Sequence, residues 1–183
     1  MSALSSSEFS RPLRANEFGD GSRERVVSAT AEECAALARR FSLRALDRLE
    51  ARLHVIQEAA GCRVTGTLTA DLVQACVATG EDVPAHLDVP FTVRFMRGLD
   101  TGDVAEAAED EIELSDEDCD LLPLENERID LGETVAQTLA LNLDPYPRAP
   151  DADATLRKMG VLSEEDAGPF AALKGLKLGK SGD

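Results

Sequence analysis

Ile129-Asp130-Leu131-Gly132-Glu133-Thr134-Val135-Ala136-Gln137-Thr138-Leu139-Ala140-Leu141-Asn142-Leu143-Asp144-Pro145-Tyr146-Pro147 holds in its middle a helix with legible ends. Asp130 is placed to cap the first turn, and Glu133, three residues on, is spaced to reach back to the cap amide. Leu131, Val135, Leu139 and Leu143 recur every four residues with Ala136 and Ala140 beside them, so one face is apolar. Pro145 and Pro147 then forbid continuation, because each lacks an amide donor and restricts the residue before it. The helix carries no chemistry of its own. Its apolar face needs a partner, which the preceding half of the chain supplies.

Working upstream, that half reads as strands with one more helix. Phe9, Pro12, Leu13 and Phe18 suggest a short edge strand, Gly19-Asp20-Gly21-Ser22 a turn, and Arg25 to Ala29 a strand. Thr30 with Glu33 makes a capping box, and Cys34, Leu37, Ala38 and Phe41 give the following helix its apolar stripe. Residues 43–58 stay open: Leu43, Leu46, Leu49 and Leu53 have helical spacing, while Leu49, Ala51, Leu53 and Val55 alternate as in a strand. A strand over 46–58 is the reading adopted. Residues 63–73 are rich in β-branched types and alternate, and 86–96 do the same after a turn near Gly80–Pro84, with Phe91, Val93 and Phe95 on one face. The short connection favours antiparallel pairing. The expected fold is α+β: an antiparallel β-sheet, or a partly closed barrel, flanked by a few helices.

Downstream of the strands, Asp100 to Asp120 holds eleven acidic residues and no Lys or Arg, which opposes compact packing and predicts an acidic loop over 100–118. Residues 119–124 read as a last strand before the helix. Beyond Pro150 a tail begins, with a short helix in Gly168-Pro169-Phe170-Ala171-Ala172-Leu173-Lys174-Gly175-Leu176-Lys177, where Pro169 suits the first helical position. The organisation expected is one α+β domain over 1–150 and a C-terminal tail over 151–183.

Composition bounds the function. The 183 residues suffice for a domain with tails, and at 43% hydrophobic but 4% aromatic the core is aliphatic. No apolar run nears the ~20 residues of a membrane span. The N-terminus shows no export signal, and Cys34, Cys62, Cys76 and Cys119 are scattered, so a cytoplasmic, reduced protein is expected. The net charge of −16 is unevenly spread. Residues 1–60 carry nine Arg and nine acidic groups, 61–99 three and four, and 100–183 seven and twenty-two. Such a rear half repels phosphate backbones and attracts basic proteins, or serves solubility alone.

Few residues invite reactive chemistry. Cys76 in Gln74-Ala75-Cys76-Val77-Ala78-Thr79 and His86 ten residues later could form a nucleophile–base pair, though no third group orients them. The bland alternative is a packed cysteine. The two histidines and the cysteine spacing give no structural zinc pattern, the acidic run lacks a calcium-loop spacing, and no phosphate-loop or dinucleotide fingerprint occurs. No metal or cofactor is expected, and an aromatic-plus-basic nucleic-acid face is missing. A binding protein is favoured over an enzyme.

Three ordered segments carry a resemblance. They are Gly66-Thr67-Leu68-Thr69-Ala70 with Gln74 to Thr79 and Pro90 to Phe95; the acidic run with Ile129 to Glu133 and Leu139 to Pro147; and Gly168 to Lys177. Together, over roughly residues 10 to 177, they resemble the bacterial YceD family, described as large ribosomal RNA subunit accumulation proteins. Many members carry Cys-x-x-Cys where this chain has Cys76-Val77-Ala78-Thr79, so a role of that pair does not carry over. The resemblance implies a cytoplasmic α+β protein acting in accumulation or assembly of the large ribosomal subunit, with no catalytic residues.

On that basis the expected function is non-catalytic support of large-subunit rRNA accumulation. Glu109, Asp110, Glu111, Glu113 and Asp116 are the candidate contacts for a basic ribosomal protein or assembly factor. Tyr146 is a candidate surface anchor, and Phe170, Leu173, Lys174 and Lys177 are candidates for docking on rRNA or a second protein. A thiol enzyme using Cys76 and His86, and a plain acidic interaction domain with no ribosomal role, are the alternatives.

Overall fold

Leu49, Ala51, Leu53 and Val55 decide residues 43–58 in favour of a strand, for all four are buried at the alternation that a strand requires. The computed structural model describes residues 7–98, 120–124 and 126–161. Within them the fold is α+β. Its strands are β1 (Pro12–Arg14), β2 (Asp20–Ser28), β3 (Ala45–Glu58), β4 (Gly61–Ala75), β5 (Asp82–Met96), β6 (Asp120–Pro123) and β7 (Arg128–Asp130). Its helices are α1 (Ala31–Arg40), α2 (Leu131–Leu141) and α3 (Ala152–Lys158). One sheet has the order β2-β3-β4-β5-β6, and β1 and β7 make a second, two-stranded one. Of the two arrangements open to the sequence it is the open sheet, with β2 and β6 outermost among the described strands, not a closed barrel.

Register follows the hydrophobic pattern. β3 pairs antiparallel with β2 and β4, with Ala51 opposite both Val27 and Leu68. A bulge between Leu46 and Arg48 inserts one residue, which returns Leu46 to the buried face opposite Leu72. At the other end Gly61 lies so close to the Phe95 carbonyl that no side chain fits, and Arg97 N donates to Ala60 O at 2.9 Å. β4 and β5 therefore run in opposite directions, as expected. β6 is parallel to β5 and covers only Val93–Met96. The turn placed near Gly80–Pro84 lies earlier, because β5 already starts at Asp82. Among the described residues β6 does not reach Pro84 and Pro90, and no ladder bond on that side of β5 asks for the amide donors they lack.

The chain divides into two units: Met1–Gln74 with Pro84–Pro145, and Ala75–Val83 with Tyr146–Asp183. The first holds the main core. Cys34, Leu37 and Ala38 of α1 and Leu131, Val135, Ala136 and Leu139 of α2 join the inner face of the sheet in one cluster. The face assigned to α2 from its spacing is thus the buried one. In the second unit Cys76, Ala149 and Ala152 are buried together, with Ala78 and Val83 against them. There α3 stands where the sequence suggested only the start of a tail. Its seven residues hold two alanines and one leucine and give no clear apolar stripe. The expected acidic loop over 100–118 and the short helix near Pro169 lie outside the described residues.

Candidate functional site

The N-terminal stretch Ser7–Arg14 crosses the start of α2, and its polar groups tie the two helices of the first unit together. Asp130 caps α2 as expected: its Oδ1 accepts from Gly132 N at 3.0 Å and Glu133 N at 3.2 Å, and also from Arg11 N at 2.7 Å. Glu133 does not reach back to the cap amide. Instead Arg40, at the end of α1, donates to both its oxygens at 2.9 and 2.7 Å, and Ser7 Oγ donates at 2.7 Å. The Arg40 guanidinium holds the Glu133 carboxyl below its ordinary range against the opposing effect of burial, and the carboxylate raises Arg40 in turn. Glu33 completes its predicted box with Thr30 and is also clamped by Arg11 at 2.8 and 2.9 Å. The Arg11 hydrogen bonds, assisted by the Thr30 amide, draw its carboxyl from 4.5 down to about 2.

Beside this network lies a cleft of about 910 Å³, with an apolar floor of Phe95, Leu122, Pro123 and Ile129 and a polar rim that includes Ser10, Arg40, Arg128 and Gln137. Arg40 pairs there with Glu133 and Glu8, and Asp130 and Arg128 line the same cleft, so it presents charged groups beside its apolar surface. Such a concavity suits a docked side chain or peptide segment. The sequence did not single it out, because Arg40 and Glu133 meet across 93 residues of chain.

In the second unit Cys76 occupies a tight turn. Its amide donates to Glu81 O, its carbonyl accepts from Gly80 N, and its sulfur accepts from Ala149 N at 3.3 Å. The Thr79 hydroxyl and then the Ala149 amide stabilise the thiolate and draw the thiol from 9.0 to about 7, although the side chain is buried. Thr79, at the position where the resemblance places a second cysteine, donates its hydroxyl to Glu81 Oε2 at 2.9 Å. His86 stands in the first unit, with its Nδ1 2.6 Å from Asp71 Oδ1. Cys34 and Cys62 are buried free thiols, and burial pushes Cys62 up to about 12.

Of the other candidates from the sequence, Tyr146 is described and is 75% exposed. Glu109, Asp110, Glu111, Glu113, Asp116, Phe170, Leu173, Lys174 and Lys177 lie outside the described residues. Among the described residues no three His, Cys, Asp or Glu side chains are grouped to hold a metal ion. No helix there is long and apolar enough to cross a membrane.

Comparison with known proteins gives one family match. The model of the large ribosomal RNA subunit accumulation protein YceD matches residues 64–177. No curated protein and no solved structure matched the chain.

Proposed function

The chain belongs to the YceD family of large ribosomal RNA subunit accumulation proteins, and from that premise we propose that it supports large-subunit rRNA by binding rather than by catalysis. The family match carries the reading, and the charge distribution gives it a physical form. Residues 100–183 hold twenty-two acidic groups against seven basic ones, a surface suited to a basic ribosomal protein or assembly factor. Glu109, Asp110, Glu111, Glu113 and Asp116 are the proposed contacts, with Tyr146 as an apolar anchor. Phe170 and Leu173, with Lys174 and Lys177, are proposed to dock on rRNA or a second protein. Work of this kind belongs in the cytoplasm, where ribosomes are assembled.

Affinity purification with mass spectrometry, run at two ionic strengths, tests the reading. Ribosomal proteins or assembly factors are expected at low salt and should fall away steeply as salt rises. Recovery of no ribosomal component at low salt overturns it. One observation favours the thiol alternative: the Cys76 thiol ionises more readily than an ordinary cysteine. A Cys76→Ser chain that fully rescues a deletion strain removes that alternative.

A further inference from the structure

The five-stranded sheet has one face in the core and one outside it. On the outer face Arg52, His54, Ile56 and Glu58 of β3 run beside Thr67, Thr65 and Arg63 of β4, and none of these is buried. At its lower end two arginines on neighbouring strands share one carboxylate: Arg63 Nε lies 3.1 Å from Glu58 Oε1, and Arg94 Nε 3.7 Å from Glu58 Oε2. Two cations thus face a single anion. Both Nε atoms are buried, and neither makes a well-directed hydrogen bond to that carboxylate, so the pairing with Glu58 leaves the two guanidinium groups unsatisfied as donors. The side chains remain 37% and 28% exposed. Thr65 and Thr92 stand two residues along the same face of each strand, next to the pair.

We propose that Arg63 and Arg94, with the Thr65 and Thr92 hydroxyls beside them, form a phosphate-contact site that seats an RNA backbone on the outer face of the sheet. This rests on the RNA arm of the proposed function. A tetrahedral phosphate offers oxygens to two guanidinium groups on different strands and to flanking hydroxyls, and guanidinium is the donor that phosphate recognition favours. The chain's acidity does not forbid the contact: residues 1–99 carry twelve Arg against thirteen acidic groups, and charges beyond ~8 Å are largely screened at physiological salt. With no aromatic platform on the face, contact is to the backbone and indifferent to sequence.

The test is fluorescence anisotropy of the full chain with a labelled single-stranded RNA of mixed sequence across a salt series, with polyglutamate as competitor. The wild type is expected to bind at low salt. Arg63→Gln/Arg94→Gln should weaken binding at least about tenfold and make the log–log salt slope shallower by about 1.4, since each single-strand phosphate contact contributes roughly 0.7. The single changes should each remove about half of that slope, which keeps the test alive if the double variant does not fold. Arg63→Lys/Arg94→Lys should keep most of the slope. An Arg39→Gln control on α1 should change nothing. Three results overturn the proposal: no RNA binding by the wild type at low salt, an unchanged slope in the Gln variants, or displacement of RNA by polyglutamate at equal charge. A purification that still recovers ribosomal proteins while RNA binding is absent sinks this inference alone.

Discussion

Leu139 has no solvent exposure and sits among the α2 residues that meet the sheet. Leu139→Ala is expected to cost ~2–5 kcal/mol, read as a shift in the urea midpoint. Gly132 makes the opposite point. A methyl group there would run into the Phe9 carbonyl oxygen, where the N-terminal stretch crosses α2. Alanine gains at most ~1 kcal/mol of helix propensity, and crowding a packed backbone costs ~1–3 kcal/mol. Gly132→Ala should therefore destabilise, and an unchanged midpoint would show that Phe9 yields without cost. At this scale the sequence is legible where the partner is local. Asp130 and Thr30 cap as their spacing predicts, whereas Glu133 turns to Arg40, which no local pattern points to.

Elements were legible where one period dominated. α1 and α2 follow from spacing of three and four, and β4 and β5 from alternation and β-branched residues. β3 was ambiguous because Leu49 and Leu53 fit both periods, and only burial of one alternating face settled it. β5 runs through Pro84 and Pro90, and among the described residues β6 pairs with β5 only beyond them. The Arg63 and Arg94 pair was invisible for a related reason: strand register, not sequence, brings them to one carboxylate. At this scale the entry of α1 also predicts a pH response. Glu33 titrates near 2 instead of 4.5, so its charged form is the one the fold favours. The stabilisation it gives is present above about pH 4.5 and is lost as pH falls towards 2. Glu33→Gln should lower stability at neutral pH and flatten the acid limb, as measured by denaturant midpoints at pH 7 and in that window.

Taken whole, the chain joins an electrically balanced front to an anionic rear. That contrast was plain from the sequence, and the fold class followed from the strand and helix patterns; the cleft was not, since distant segments build it. Replacing the acidic residues between 106 and 118 by their amides separates partner binding from mere solubility. The expected result is a deficit of mature large subunits on a sucrose gradient, and an unchanged profile would assign the acidity to solubility.

The contact of Arg11 with Asp130 spans 119 residues, and β1 finds its mate only in β7. Phe9 and Leu13, both buried in the finished fold, leave the ribosome long before α2 exists. At a synthesis rate of ~5–20 residues per second, these side chains wait on the order of ten seconds without their cover. During that interval Phe9 and Leu13 lack the later-made surfaces that bury them in the finished fold, so the N-terminal stretch can lock into place only after α2 and β7 have been translated.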